Sequence, residues 1–403
     1  MKYVIKASLG NPNIPENGVA TVYFPLSGSE YSHSIAEVLE PMGIGSAVVQ
    51  DCFVEEIDSS YGFLQCLKQQ IVNVDELDYL AKRLDSFCDS EAEGFQAACS
   101  AFGCRDIKDL INMTFCCQET TVISDFSKLE EAGKAHYLTI HGGAAPTAEL
   151  AAVDGRALAE KLIQSGEGML TPYGLFFRNG VRMENLYQGR GFPPYLWDER
   201  EAELELIKPD GTKALVFLPF TALELRRFQQ REDIPDIREC KGTLHLYHGP
   251  ARHIDLSDGM AELEGWNKLC EALKAMPQMQ QQAFAAALEV TGAEDLSQMQ
   301  LLAASMDDFE LIPGITDAES YGKYMIQQSG KYDYDEFLEC YYNYEAFGEF
   351  LMEHETGQIT KRGYLKCEEG SSFLDFFTQK PLIPTQEQVP ADEESTMQIG
   401  GPQ

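Results

Sequence analysis

The sequence predicts an α+β fold: an elongated multi-domain chain made by tandem duplication of small antiparallel-sheet units and helical bundles. Three observations carry this reading. An internal repeat recurs at an offset of 189 residues, a short apolar strand ended by proline opens each copy, and apolar residues fall at helical spacing in the middle of each.

The repeat comes first. Phe95 aligns with Phe284, Gly103 with Gly292, Asp106 with Asp295, and Gly133-Lys134 with Gly322-Lys323. The same offset pairs Ala157 with Ala346, Glu160 with Glu349, Leu162 with Leu351, Gly168 with Gly357, Thr171 with Thr360 and Gly174 with Gly363. Between 95–176 and 284–365 there are 15 identities in 82 positions, where typical composition gives about 5. Shared glycines mark shared turns and caps. Upstream, Val22-Tyr23-Phe24-Pro25 resembles Val216-Phe217-Leu218-Pro219, an apolar strand ended by proline.

Each copy then reads as strand, short helix and strand, with the second strand of copy two near Thr243–Tyr247. Helices are expected over 75–88 and 91–102, and over 260–276 and 278–290, from the spacing of Leu77, Leu80, Leu84 and Phe87 and of Leu263, Trp266, Cys270 and Leu273. Gly103 and Gly292 are expected C-caps, with Asp106 and Asp295 opening the next helices. A last helix, 345–354, leads through Gly357 to a hairpin-like end. The predicted domains are a divergent first copy over 1–190, a linker over 191–212, a second copy over 213–375 and a disordered polar tail over 376–403.

Charge is the outlying quantity. The chain of 403 residues carries 65 acidic and 31 basic side chains, formal net −34. Such a chain repels nucleic acid and anionic membranes and attracts basic grooves in a salt-sensitive way. The commonplace reading is a well-solvated surface. Eleven cysteines without a framework, no signal-peptide region and no long apolar run predict a soluble, cytoplasmic protein with free thiols.

The acid is unevenly placed. Residues 1–200 hold 28 acidic and 15 basic side chains; residues 201–403 hold 37 and 16. From Ala275 to Gly322 there is no Lys or Arg, but there are Glu289, Glu294, Asp295, Asp307, Asp308, Glu310, Asp317 and Glu319. From Tyr332 to Thr360 there is again no base, with Asp333, Asp335, Glu336, Glu339, Glu345, Glu349, Glu353 and Glu355. These sixteen residues are the candidate partner-binding surface. Ala7 to Leu67 is a third base-free stretch. Ordinary helices mix signs, because like charges at i,i+4 cost a few tenths of a kcal/mol. Three aligned positions change sign: Arg105 becomes Glu294, Lys128 becomes Asp317 and Arg156 becomes Glu345. Among the aromatics that interleave the acids, the 4-3-3 spacing of Phe337, Tyr341, Tyr344 and Phe347 predicts the buried stripe of a helix.

The second copy resembles the ArdA antirestriction family. The resemblance rests on Leu218-Pro219, on Glu262, Leu263 and Trp266, on Asp317 to Gly330 (D-x-x-x-Y-G-K-Y-x-I-x-x-S-G), and most on Asn343 to Leu365, N-Y-E-A-F-G-E-F-L…T-G-x-I…G-Y-L. It covers about 150 residues of copy two and, more faintly, copy one. It implies three small α+β and helical units in a row. It also implies mimicry of B-form DNA, inhibiting type I restriction–modification enzymes during plasmid or transposon transfer. Family members resemble dimers of single copies, so two fused copies imply a covalent pseudo-dimer or a homodimer of the fused chain. The expected partner is a DNA-binding defence enzyme, with no direct contact to nucleic acid or membrane. The alternative is an acidic decoy or adaptor of a mobile element directed at another defence system, such as a CRISPR effector.

Catalytic patterns fail. His141-Gly142-Gly143 lacks a G-x-S-x-G elbow and is not duplicated. His245 and His248 would point to opposite faces of a strand, and with His253 have no counterpart in copy one. Glu55-Glu56 and Asp307-Asp308 lack a surrounding cation-loop pattern, and no Walker or Rossmann fingerprint occurs. The expectation is a non-enzyme with no catalytic residues, metal or cofactor.

Overall fold

The computed structural model describes residues 3–194, 200–248, 252–256, 260–367, 373 and 376–379. The fold is α+β, built from small antiparallel sheets and short helices.

The first copy begins with β1 (Ile5–Gly10) and β2 (Val19–Phe24), then a helix, α1 (Gly28–Ser32), that runs on as a wider turn over His33–Leu39. Strands β3 (Cys52–Asp58) and β4 (Ile71–Val72) complete a sheet of order β2-β1-β3-β4. Alternation decides which face is inside: Ile5, Ala7 and Leu9 are fully buried while Lys6 and Ser8 between them are only half-buried. Three helices follow, α2 (Val74–Asp85), α3 (Asp89–Phe102) and α4 (Ile107–Met113). The copy closes with β5 (Thr121–Ile123), α5 (Leu129–Ile140), α6 (Thr147–Ala152), α7 (Gly155–Gln164), β6 (Met169–Thr171) and β7 (Gly174–Phe177), in a sheet of order β5-β7-β6.

The second copy repeats this order. It has β8 (Ala202–Ile207), β9 (Lys213–Leu218), α8 (Ala222–Glu232), β10 (Lys241–Leu246) and β11 (Arg252–Asp255). Their sheet has the order β11-β10-β8-β9, the same as the first when each strand is replaced by its counterpart. Next come α9 (Leu263–Ala275), α10 (Gln278–Thr291), α11 (Leu296–Ala304), β12 (Phe309–Pro313), α12 (Ala318–Gln327), α13 (Tyr344–His354), β13 (Gly357–Thr360), β14 (Gly363–Cys367) and α14 (Phe376–Gln379). The last sheet, β12-β14-β13, again matches β5-β7-β6.

Details repeat with the topology. The Phe24-Pro25 and Leu218-Pro219 peptides are both cis. Gly103 (φ 71°) and Gly292 (φ 67°) end α3 and α10 in the left-handed region that favours glycine. Asp106 and Asp295 cap α4 and α11 by accepting the backbone N–H three residues on, at 2.9 and 2.8 Å. Thr171 Oγ1 donates to the Gly174 carbonyl at 2.8 Å, and Thr360 Oγ1 to that of Gly363 at 2.9 Å. The tightest shared feature is a helix crossing. A Cβ on Gly133 would lie 1.8 Å from the Gly155 carbonyl oxygen, and one on Gly322 would lie 2.0 Å from that of Tyr344, the aligned position. Only glycine lets α5 meet α7, and α12 meet α13, that closely.

Two expectations are corrected. The stretch 191–212, expected as a linker, contains β8, with Ala202, Leu204 and Leu206 fully buried. Its Pro209-Asp210-Gly211 turn joins β8 to β9: the Lys208 N–H donates to the Thr212 carbonyl, and Asp210 accepts the Thr212 N–H, both at 2.8 Å. The predicted tail from 376 includes α14, whose Phe376 is buried with its ring 5.2 Å from Phe309. The rest of that tail lies outside the described residues.

The chain divides into two compact units whose boundary does not follow the repeat. One comprises Met1–Trp197, Ile207–Val216 and Phe220–Cys240; the other comprises Asp198–Leu206, Phe217–Pro219 and Lys241–Gln403. Helix α8, second-copy by sequence, therefore belongs to the unit of the first copy. Its Arg227 and Arg231 are 3% and 5% exposed and both pair with Asp75 of α2, at 3.0 and 3.2 Å. Arg227 also donates to the carbonyls of Gly45 and Ser46. Arg231 donates to Asn73 Oδ1 and, at 3.0 Å, to the Arg190 carbonyl, and lies over the Phe192 ring. Tyr31 donates to Asp75 at 2.6 Å. Burial and the Asp75 carboxylate together push the Tyr31 phenol well above its ordinary pKa.

Candidate functional site

The acidic candidates belong to the second copy, and the local fold spreads them over several elements. Glu289 lies on α10, Glu294 and Asp295 at the entry to α11, and Asp307 and Asp308 in the 3-10 turn before β12, which carries Glu310. Asp317 and Glu319 open α12. Asp333 precedes, and Asp335 caps, a 3-10 turn over Glu336–Tyr341 that carries Glu336 and Glu339. Glu345, Glu349 and Glu353 fall four residues apart on α13, and Glu355 follows it.

All but Asp308 and Glu355 are exposed. Seven interact with other groups, three of them, Asp295, Asp317 and Asp335, as helix caps. Glu355 pairs with Lys366 at 2.7 Å and accepts the Tyr321 hydroxyl at 2.6 Å, so it is a structural acid. Glu289 lies 3.8 Å from Arg362, Glu339 lies 3.8 Å from Lys323, and Asp308 is half-buried and engaged. Glu294, Asp307, Glu310, Glu319, Asp333, Glu336, Glu345, Glu349 and Glu353 have no ion-pair partner among the described residues, nor do the capping Asp295, Asp317 and Asp335.

Asp295, Asp317 and Asp335 accept backbone N–H groups at helix starts, at 2.8, 2.8 and 3.0 Å. At Asp317 the backbone and side-chain hydrogen bonds from Ser320 hold the carboxyl below its ordinary value. The sign change from Lys128 to Asp317 therefore supplies a cap as well as a charge.

The α12–α13 crossing gathers part of the acid. A Cβ on Gly348 would lie 1.8 Å from the Ala318 carbonyl oxygen, so the acidic first turn of α12, with Asp317 and Glu319, lies beside the middle of α13. Along α13 the stripe of Glu345, Glu349 and Glu353 has one charge per roughly 6 Å of helix. Duplex DNA carries one per about 1.7 Å. The helix alone thus reaches about a quarter of duplex line density, and only neighbouring acids can raise it.

The aromatic expectation is corrected. Phe337 and Tyr341 are 93% and 81% exposed, and no single helix carries the four rings. The turn over Glu336–Tyr341 stops before Asn343, which caps α13 through the Ala346 N–H. The cap breaks the phase that the 4-3-3 spacing assumed.

The rejected catalytic groups have ordinary surroundings. His141 caps α5, its Nδ1 2.7 Å from the Tyr137 carbonyl and its ring stacked on Tyr137. His245 lies 3.5 Å from Glu203, and His248 contacts Glu201. The side chain of His253 lies outside the described residues. Glu56 pairs with Lys68 at 2.7 Å. Among the described residues, no group of three or more His, Cys, Asp or Glu is placed to hold a metal ion, and no helix is long and apolar enough to cross a membrane.

Sequence reasoning missed two features, the buried Arg227–Asp75–Arg231 pairing and the outward Phe337 and Tyr341. Nothing in the spacing of either marks it. No family model and no curated protein matches the chain.

Proposed function

We propose that the chain is a DNA-mimic antirestriction protein that inhibits type I restriction–modification enzymes by occupying their DNA-binding groove. The observation that carries the reading is the row of exposed carboxylates on α13, Glu345, Glu349 and Glu353, without cation partners among the described residues and next to the acidic start of α12. Fixed like charges on a helix cost stability in the free protein. A cationic groove evolved for phosphates relieves that repulsion and gains attraction. On this reading the protein works in the cytoplasm, without catalysis or cofactor, as a mobile-element anti-defence factor. The two fused copies act as a pseudo-dimer, or the fused chain pairs with itself.

The test mixes the full chain with a type I methyltransferase core at low and moderate salt. The expected result is a complex that salt weakens and duplex DNA displaces. Replacing Glu345, Glu349 and Glu353 together by Gln should weaken it about tenfold or more and flatten its salt dependence, since each exposed pairing contributes a fraction of a kcal/mol to about one. No complex at low salt, or a complex indifferent to the triple substitution and to salt, refutes the reading.

A further inference from the structure

We infer that Phe337 and Tyr341 form an aromatic probe for an apolar, base-accepting pocket inside the cationic cleft of the partner enzyme. The inference rests on the decoy reading above and adds to it the kind of partner: an enzyme that extrudes a base from its duplex.

Phe337 is 93% exposed and Tyr341 81%, in a segment whose other rings are tied down. Tyr332 packs edge-on against Phe347 at 5.4 Å, and Tyr342 lies 6.5 Å from Tyr334 and 5.9 Å from Tyr344. Asp335 accepts the Phe337 N–H at 3.0 Å, and its own N–H donates to the Tyr342 hydroxyl at 3.2 Å. The two outward rings are thus presented by a braced turn. Rigid exposed aromatics are the side chains that anchor interfaces.

Charge selects the occupant. The turn carries Glu336 and Glu339, Asp333 and Asp335 flank it, and residues 332–360 contain no Lys or Arg. A second copy would bring the same acids against these, so the fitting partner is basic. Enzymes that modify bases combine a cationic cleft with a pocket that stacks an extruded base between aromatic or apolar side chains. A ring projecting from an acidic turn reproduces both elements of that ligand. The aligned positions in copy one are Ala148 and Ala152, so only copy two carries the probe.

The test measures affinity of the full chain for a type I methyltransferase core and its salt slope. Phe337→Ala with Tyr341→Ala should lower affinity about 10- to 100-fold and leave the salt slope unchanged, because no charge is removed. Phe337→Trp should bind like wild type, whereas Phe337→Leu should bind like Phe337→Ala. Unchanged affinity in the double variant overturns this inference and leaves the decoy reading standing. Rescue by Leu overturns it by making the contact merely apolar. A drop in the sedimentation coefficient of the free chain on the double substitution assigns the rings to contact between copies and also overturns it. No wild-type complex overturns both readings.

Discussion

Replacing Asp75 by Ala leaves two guanidinium groups, Arg227 and Arg231, in sites 3% and 5% exposed with no carboxylate between them. The same change orphans the Tyr31 hydroxyl, which donates to Asp75 at 2.6 Å. Removing one partner of a buried pair costs about 3–5 kcal/mol, because the surviving charge stays desolvated. With a urea m-value of about 3 kcal/mol/M, this corresponds to a midpoint lowered by about 1–1.7 M. The chain has two units, so one global curve mixes two transitions. Hydrogen exchange of amides in α2 and α8 reports the right unit. Protection in both helices should fall together, by the same free energy. The triple substitution Asp75→Leu, Arg227→Met, Arg231→Met removes the charges as a set and should recover most of the loss. A loss under about 1 kcal/mol for Asp75→Ala, or a triple variant less stable than the single one, refutes the account of α8 as held by a buried charge pair.

Two further outcomes follow from local geometry. Gly322→Ala places a Cβ 2.0 Å from the Tyr344 carbonyl oxygen and should destabilise the α12–α13 pair by about 1–3 kcal/mol despite the better helix propensity of Ala. Gly28→Ala, with nothing within 4 Å, should be neutral or slightly stabilising, and thermal melts of both decide. The lowered Asp317 carboxyl means that its cap contributes fully above the ordinary Asp pKa of about 3.9, then fades as pH falls through the lower folded value. The protection factor of the Ser320 amide, its exchange rate taken relative to the intrinsic rate at each pH, should therefore fall in acid in the wild type but stay constant in Asp317→Asn, which caps without titrating. An acid dependence surviving in that variant would assign it to another group.

The paired glycines, the caps at Asp106 and Asp295 and the helix spacings were legible because each answers to a local rule. The alternation of Ala202, Leu204 and Leu206 with Glu203 and Glu205 was equally readable as a strand. The nearby Pro209-Asp210-Gly211 obscured it, since the same turn residues serve a hairpin and a linker. Phe337 and Tyr341 deceived because spacing predicts a buried face only if the helix runs uninterrupted, and the Asn343 cap interrupts it. Arg227 and Arg231 were illegible for a different reason. An arginine four residues from another on a polar helix reads as solvated, and only a carboxylate more than 150 residues earlier makes burial tolerable. Of the acidic candidates, sequence found the exposed majority but could not tell Glu355, bound to Lys366 and Tyr321, from its free neighbours.

The seating of α8 has a consequence for how such a chain can change over time. Once a later repeat relies on Asp75 of an earlier one to neutralise Arg227 and Arg231, neither half of the gene can be discarded without stranding the other. The fusion has become entrenched. Cutting within the 191–212 stretch would separate α8 from Asp75 and, within Ala202–Ile207, split β8, so a fragment's loss of activity would not by itself report on its binding surface.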